Sequence, residues 1–575
     1  MNSAAEDTCS RLRLLLSEDR GGEKDQPPTG GRDVKGRGNP GRDAVGAVSG
    51  PRRRTGGEYP VRGRAETRRV QPDQNGAEGD AGASLSGLLA GGTQGSRAPS
   101  LSIRGCAPAI YGCELPSHAP FPVCTGLVPV VCLCRHARCG SHKGTATEAG
   151  FGISLPPAEA LAAPVTRSPG RGNAELARDF LDLEFRMESG RSLPVLTRFE
   201  GPITVGVKGD VPASARAELQ RLINRFRSEA GLDLQPAAAG TTPSITIEFQ
   251  PRSAMQRVVP TAACFVVPNV TSFAEYRAAR NTSKVDWAQL TRREHVAIFV
   301  PSDTSPQEVR DCLHEEMAQA LGPLNDLYHL TDSVYNDDNF HTVLTGFDML
   351  MLRVHYAPEL RSAMNEAEVA SHLPGILARL NPAGQGLASN PKSIAPRAWV
   401  EAVENAFGVR GGPDGRLSAA ERMLAMAMAQ GWSDGRLAFS WYAVGRAQVV
   451  SDPERAVKAF TEARRIWRAL PGGEVHVAHV DMQLAAVALS SGQNEAAIAF
   501  ADRAIPPVRA AQNAGLLATL MLIKAEALDN LGRAAEARAL RLDSQPWARY
   551  GFGAERQVRA RTAEIAQLGA RGARG

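Results

Sequence analysis

The chain has 575 residues, of which 43% are hydrophobic and 22% charged, and its formal net charge is +5. At about 100–200 residues per domain this length predicts two to four domains, and the hydrophobic fraction is enough for packed cores. The small net charge argues against a polyanion-binding protein, and no uncharged apolar run reaches the roughly 18 residues that a transmembrane helix needs.

Residues 1–150 are rich in Gly, Arg, Pro and Ser and have almost no periodic apolar pattern. Such a segment cannot bury enough apolar surface to offset the entropy of ordering, so we predict a long disordered leader. The true start could lie downstream of Met1. An apolar patch at 120–134 has the length of a signal-peptide core, but it lies far from Met1 and has no clean cleavage site. The sequence therefore shows no clear signal peptide at Met1.

Seven of the nine cysteines lie in this leader. Cys132, Cys134 and Cys139 stand close to His136 and His142, which suggests a zinc cluster. Their spacing is not that of a common zinc motif, and a second ligand pair is missing. We therefore interpret them as scattered cysteines in an unstructured segment.

Residues 196–385 have the pattern of an α+β domain with its helices on one face of a sheet. Helices are predicted after Pro212, ending at Gly231, and after Ser305, which would cap a helix that begins with Pro306. Strands are predicted around ITVGVKG (203–209), at SITIEFQP (244–251), CFVVPN (264–269) and HVAIFVP (295–301).

The second of these helices carries the informative motif. Read from His314, the string HEEMA begins like the zinc motif H-E-x-x-H, but its second ligand position is Ala318, which cannot bind a metal. Read from Glu315, the string is E-E-x-x-Q-x-x-G-x-x-N, which aligns with the metzincin motif H-E-x-x-H-x-x-G-x-x-H.

In this alignment Glu315, Gln319 and Asn325 stand at the three ligand positions and Glu316 at that of the general base. Residues i and i+4 share one face of a helix, and Gly322 would bend the chain so that a third side chain returns to the same point. Glu, Gln and Asn suit a hard divalent cation or a hydrogen-bonded cluster better than zinc. The alternative is an ordinary amphipathic helix whose Glu and Gln face solvent. The preceding order of strands and helices is that of a zincin N-terminal half.

Residues from about 200 to 385 also resemble a proteobacterial domain family of unknown function, some members of which are described as candidate lipoproteins. The resemblance is carried by CLHEEMAQALGPLND (312–326), by SVYNDDNFHTVLTGFDMLMLRVHY (333–356) and by the strand at CFVV. It implies a zincin-like fold and a cell-envelope or periplasmic location, but no reaction. The chain departs from that family because it has no evident signal peptide or lipobox, so membrane association would require lipidation.

Two further features belong to this domain. Cys264 and Cys312 are its only cysteines, and either a disulfide or two buried thiols would fit their positions. The segment 325–339 contains Asp326, Asp332, Asp337 and Asp338, without the spacing of an EF-hand, and is predicted as a solvated acidic loop.

Residues 396–575 are rich in Ala and have almost no strand signal. Ala456, Phe460 and Ala463 recur as small residues 41 positions later, and Ala485 and Gly492 recur 40 positions later. The pattern resembles tetratricopeptide repeats with longer connections and predicts about three stacked helix pairs, whose inner face would bind a protein or peptide. The alternative is a plain helical bundle packed on the first domain. We predict no nucleic-acid partner.

Two functions from different classes follow from these patterns. The first is a non-catalytic envelope protein in which a degenerate zincin-like domain serves as a binding or scaffold module. The second is a metal-dependent hydrolase, in which case it would resemble a metallopeptidase. The replacement of all three histidine positions favours the first. A divalent metal is expected only in the second.

Overall fold

The computed structural model describes residues 169–260, 262–408 and 412–572. The predicted leader 1–150, its apolar patch and its cysteine–histidine group lie outside the described residues. None of the described helices is both long and apolar enough to cross a membrane.

Five strands form one mixed sheet in the order β2-β1-β3-β5-β4. The strands are β1 (Ile203–Gly209), β2 (Leu234–Pro236), β3 (Ile245–Gln250), β4 (Phe265–Pro268) and β5 (Val296–Pro301). Neighbouring strands run parallel except β4, which pairs antiparallel with β5 and forms one edge. All six residues of β5 are buried, as expected for a β-branched run with a strand on either side. The predicted strands are confirmed, and β2 is an additional short one.

Seven helices accompany the sheet within residues 169–380. They are α1 (Asn173–Glu184), α2 (Ala215–Arg225), α3 (Arg252–Gln256), α4 (Phe273–Ala279), α5 (Pro306–Leu321), α6 (Gly346–His355) and α7 (Glu366–Leu380). The predicted domain start at residue 196 leaves out α1, whose Leu176, Phe180 and Leu183 are fully buried in the core of the sheet domain. Their spacing of four and three residues is the sequence signal for this helix.

Helix α5 carries the motif identified in the sequence. Ser305 caps it by accepting a hydrogen bond from the Glu308 amide at 3.1 Å, and Pro306 occupies its first turn, as predicted. The helix packs against β5, β4 and α2, so most of its residues are buried. A helix enclosed in this way has few side chains facing solvent, which is contrary to the amphipathic alternative.

The rest of the described chain is helical. Nine helices occupy residues 397–407 and 412–572, namely α8 (Arg397–Phe407), α9 (Gly412–Ala429), α10 (Gly435–Gln448), α11 (Pro453–Arg468), α12 (Glu474–Ser490), α13 (Asn494–Ala510), α14 (Ala514–Asn530), α15 (Ala534–Phe552) and α16 (Glu555–Gly572). Helices α11, α13 and α15 begin at residues 453, 494 and 534, which matches the 40- to 41-residue offsets in the sequence.

Each of these helices packs against the next, and α12, α14 and α16 also lie side by side, which is consistent with stacked helical repeats. Small residues allow the close approach: a Cβ at Gly445 would lie 2.6 Å from the Phe460 ring of the neighbouring helix. The prediction of about three helix pairs is too low, because α8 to α15 already make four in the described chain.

The segment that joins α5 to α6, residues 322–345, is here called the bridging loop. The prediction of a solvated acidic loop is wrong for most of it, because the loop lies between the sheet domain and the helical region. Asp338 is only 8% exposed, and its carboxylate accepts hydrogen bonds from the Asn336 side chain, the Phe340 amide and His476. The carboxylate of Asp338 is therefore held by protein groups.

Phe340 is the central apolar contact of the bridging loop. Its ring packs at centroid distances of 4.4 to 6.0 Å against five rings of α10, α11 and α12. These rings belong to Phe439, Tyr442, Trp467, His476 and His479. This part of the helical region is thus covered by a segment of the same chain.

Polar contacts fix the same interface at several other points. Gln307 of α5 bonds to the Asn513 side chain at 3.1 Å and to the Gly515 amide at 2.8 Å. Arg310 donates to the Gln512 carbonyl, and Tyr550 donates to the Glu218 carboxylate at 2.6 Å. The sheet domain and the helical region therefore share a buried, hydrogen-bonded surface.

Replacing Phe340 with alanine should lower the free energy of unfolding by about 3–5 kcal/mol, because it leaves a cavity among five aromatic neighbours. Denaturant unfolding followed by circular dichroism measures the loss. Leu542, which is 67% exposed, provides the control, since Leu542→Ala should change stability by no more than about 0.5 kcal/mol. Equal stability of the two variants would show that the loop contributes little to the interface.

Candidate functional site

A cleft of about 370 Å³ opens beside the carboxyl-terminal half of α5. Glu315, Glu316 and Gln319 line one side of it, as the i, i+4 spacing in the sequence predicts. The edge strand β4 lines another side, and the segment Met187–Ser189 after α1 a third. The structure therefore brings three of the four predicted polar residues of the motif to one cleft.

His314 is not among the residues that line this cleft. It is buried, and its Nδ1 accepts a hydrogen bond from the Leu344 amide at 3.2 Å. Burial, followed by the nearby arginines Arg225 and Arg310, keeps the pKa of His314 well below its ordinary value. The neutral ring serves as a hydrogen-bond acceptor in the core, which agrees with rejecting the motif read from His314.

The helix ends at Leu321, and Gly322 turns the chain away. A Cβ at Gly322 would lie 2.8 Å from the Cδ2 methyl of Leu352, so a side chain at this position would require Leu352 to shift. Arg293 holds this end: it donates to the carbonyls of Gln319, Ala320 and Gly322 at 2.5 to 2.8 Å. A buried cation at a helix carboxyl end satisfies the free carbonyls and opposes the negative end of the helix dipole.

Asn325, the predicted third ligand, has a different role. Its side-chain amide donates to the Asp182 carbonyl at 2.8 Å, and its backbone amide donates to the Leu183 carbonyl at 3.2 Å. These bonds attach the bridging loop to the end of α1, and Asn325 is not among the residues that line the cleft. Nothing in the spacing of the motif could have shown this, because α1 lies more than 130 residues earlier in the sequence.

Two other carboxyl groups of the bridging loop, those of Asp326 and Asp337, interact with the carboxyl groups near the cleft. Asp326 follows Asn325, and Glu188 raises the pKa of its carboxyl group. Asp337 accepts a hydrogen bond from the Tyr328 hydroxyl at 2.5 Å. Five residues influence one another's ionisation and are called the acidic cluster below, namely Glu188, Glu315, Glu316, Asp326 and Asp337.

Burial and repulsion between neighbouring carboxylates raise the pKa values of Glu315, Glu316, Asp326 and Asp337. The pKa of Glu315 is raised to about 8, first by burial and then by Glu188 and Asp311. Burial, with the added charge of Glu315 and Glu188, raises the pKa of Glu316 well above its ordinary value. The pKa values of Asp326 and Asp337 are raised for the same two reasons, burial first and Glu188 next. No positively charged group is among the causes that shift the pKa values of Glu315 and Glu316.

Several oxygens of the acidic cluster are buried without a hydrogen-bond partner in the described chain: one each of Glu316, Asp326 and Asp337. Glu316 is only 2% exposed, and its free oxygen is Oε2. Buried polar atoms are normally paired, so an unpaired one beside a cleft requires an explanation. Among the described residues, no three His, Cys, Asp or Glu side chains are placed close enough to hold a metal ion.

A disulfide between Cys264 and Cys312 connects β4 to α5 and borders the cleft. The sequence left the disulfide and two free thiols as alternatives, and the structure has the disulfide. The bond fixes the edge strand relative to the helix that carries Glu315 and Glu316. The width of the cleft therefore depends on a covalent link.

One comparison with known proteins gives a match. A family described as "Protein of unknown function (DUF2927)" matches residues 173–375, so the chain contains a DUF2927 domain. The matched range begins at α1, not at residue 196, and includes the sheet, α5 and the bridging loop. No curated protein and no solved structure matches the chain.

Removing the disulfide in a Cys264→Ala, Cys312→Ala double variant should lower the free energy of unfolding by about 2–4 kcal/mol, because the unfolded chain loses a cross-link between residues 48 positions apart. Denaturant unfolding of the oxidised wild type and the double variant measures the difference. Identical midpoints would show that the bond does not stabilise the fold.

Thermal stability should fall as the pH rises from about 6.5 to 8.5. The Glu315 carboxyl ionises near pH 4.5 in the unfolded chain but near 8 in the folded one. Between these two pH values the folded state holds a proton that the unfolded state has lost. Raising the pH therefore shifts the equilibrium towards the unfolded state. The decrease in melting temperature should be smaller in Glu315→Gln.

Glu294→Gln is the control for this experiment, because Glu294 is exposed and pairs with the exposed Arg292. It should keep the pH dependence of the wild type. A wild-type melting temperature that does not change between pH 6.5 and 8.5 would contradict the raised pKa.

Proposed function

We propose that the DUF2927 domain is a zincin-like binding module that holds an extended peptide in the cleft beside β4 without cleaving it. The observation that carries the proposal is that the free edge of a sheet and the polar face of α5 line the same cleft. An edge strand presents unpaired backbone N–H and C=O groups, which an extended peptide satisfies by adding a strand.

The order of elements supports the zincin-like part of this proposal. One strand, a helix, a series of strands and then the motif helix α5 follow one another, and the last strand before α5 pairs with an antiparallel edge strand. The chain turns at Gly322 directly after the helix, at the position where the metzincin motif has its glycine. These features extend the likeness beyond the spacing of the motif.

The side chains favour binding over catalysis. Gln319 stands where a second histidine ligand would, and its neutral amide is a poor ligand for zinc. Asn325 makes a hydrogen bond to α1 and does not line the cleft. A three-ligand set like that of a metallopeptidase would therefore need a residue outside the motif.

The helical region has a supporting role in this proposal. Its aromatic surface around Phe439 and Tyr442 packs against Phe340. The helices thereby hold the part of the bridging loop that contains Phe340. A protein partner of the helical repeats would use a different surface.

We further propose that the protein works in the cell envelope. The disulfide supports this location, because disulfides persist in oxidising compartments such as the periplasm. Attachment to a membrane would then depend on a lipid.

A second candidate function is peptide hydrolysis, which one observation favours. Glu316 has a buried, unpaired oxygen next to Glu315, and a carboxyl group so placed could accept a proton from water bound at the cleft. This function requires an additional electrophile such as a divalent cation, and Glu316→Gln should then abolish cleavage.

Hydrogen exchange with mass spectrometry tests the main proposal. The full chain is incubated with a synthetic pool of random eight-residue peptides capped at both ends, and amide exchange is followed along the sheet. A bound peptide should slow exchange at Phe265–Pro268. Strand β2, at the opposite edge of the same sheet, is the internal control and should not change.

The peptide pool is then analysed by mass spectrometry, with and without added Zn²⁺. Intact peptides together with protection of β4 support a binding module. Cleavage that requires Glu316 supports the second candidate. Unchanged exchange at β4 at millimolar peptide would contradict both.

A further inference from the structure

We infer that the cleft selects peptides that carry an arginine or lysine, whose cationic head enters the acidic cluster beside Glu316. This inference rests on the proposed function and specifies the class of peptide that the cleft binds. It starts from the acidic lining of the cleft, which includes the carboxyl groups of Glu188, Glu315 and Glu316.

Glu316 points to a missing partner. Its side chain is almost fully buried, it lines the cleft, and its Oε2 has no hydrogen-bond donor in the described chain. One oxygen each of Asp326 and Asp337 is also buried without a hydrogen-bond partner in the described chain, although neither residue lines the cleft. A guanidinium group offers five N–H donors in a fixed plane, and an ammonium group offers three. Either would supply the donors that these oxygens lack.

The cations of the chain near this site are engaged elsewhere. Arg293 gives its donors to the carbonyls at the end of α5 and to Thr197. Arg280 lines the cleft, but it is exposed, donates to the Val258 carbonyl and acts on Tyr276, not on the carboxyl groups of α5. Among the described residues, neither of these two arginines therefore supplies a donor to the free oxygen of Glu316.

The remaining walls of the cleft suit a long basic side chain. Val266, Val285 and Leu324 line it with apolar surface, against which the methylene stem of arginine or lysine can pack. The stem would lie beside β4 while the head reaches α5. A bare metal ion would not use these walls, and the donors are not arranged for one.

Burial supports the same ligand. Burial raises the pKa values of six groups in and around the site, namely Asp311, Glu315, Glu316, Asp326, Tyr328 and Asp337. Glu188, which is exposed, also lines the cleft. A cation that enters the site would favour the ionised forms of these carboxyl groups, because an opposite charge within a few ångströms stabilises a carboxylate.

A pair of synthetic peptides tests the inference. One has the sequence Ac-AAVRVAA-NH2, and in the other citrulline, which has the shape of arginine without its charge, replaces the arginine. Affinities for the full chain are measured by isothermal titration calorimetry at pH 8. We expect the arginine peptide to bind at least about tenfold more tightly, as for a charge-assisted hydrogen bond in a desolvated site.

Variants then locate the effect. In Glu316→Gln the preference for arginine should fall towards one, and in Glu294→Gln, on the exposed surface, it should stay as in the wild type. Glu188→Gln changes an exposed member of the acidic cluster and should also reduce the preference for arginine. This variant replaces Glu316→Gln in the test if Glu316→Gln does not fold. A preference that survives both cluster variants would overturn the inference.

The outcomes separate this inference from the proposed function. If both peptides bind equally and protect β4 from exchange, the cleft binds peptides but does not select cations, and the inference fails alone. If neither peptide binds nor protects β4, the proposed function fails as well. If Ca²⁺ or Zn²⁺ alone raises the melting temperature and displaces the arginine peptide, the acidic cluster is a metal site and the inference is overturned.

Discussion

The fit of the bridging loop between the sheet domain and the helical region is the constraint on which the rest of the structure depends. Phe340 anchors the loop among aromatic rings of three helices, and His476 holds Asp338 at 2.9 Å. Because residues 322–345 are fixed from both sides, Asp326 and Asp337 are held where they act on the carboxyl groups of α5. The helical region thus contributes to the cleft without lining it.

This arrangement places carboxyl groups close together, and no cation of the described chain is among the causes that set the pKa values of Glu315 and Glu316. Arginines pair with acidic groups elsewhere in the domain, as Arg171 does with both Asp179 and Asp332. Around Glu316 there are instead burial and further carboxyl groups, which raise the pKa values of Glu315 and Glu316 and so disfavour their ionisation. Such a cluster destabilises the folded state at neutral pH unless it keeps protons or meets a cation, so its presence beside an open cleft is best explained by a ligand.

Much of the fold follows from local pattern. The alternating strands, the Ser305–Pro306 helix start and the 40- to 41-residue repeat are each set by neighbouring residues, and the structure contains them. Leu176, Phe180 and Leu183 lie on one helical face, which predicts a helix. Helix α1 nevertheless lies before the predicted domain start at residue 196, which is close to the first alternating strand. The structure also has more helix pairs than the repeated residues indicated.

The candidate site was predictable only in part. Glu315, Glu316 and Gln319 share a helix face, so their spacing alone places them together. Asn325 and Asp326 are adjacent in sequence, yet one bonds to α1 and the other joins the acidic cluster, and this division depends on contacts with residues far away in the chain. The burial of Asp338 likewise depends on a distant helix, because His476, 138 residues later, bonds to its carboxylate. The local pattern of an acidic segment predicts solvation instead.

The central claim is that the empty cleft stores protons on buried carboxyl groups and exchanges them for a cation. The number of protons released on binding tests it most directly, and is obtained by titrating the arginine peptide calorimetrically at pH 7.5 in buffers of different ionisation enthalpy. The account predicts a net release of protons that is reduced in Glu315→Gln. Binding of the peptide with no proton release would show that the acidic cluster is already ionised or plays no part, and would contradict the account.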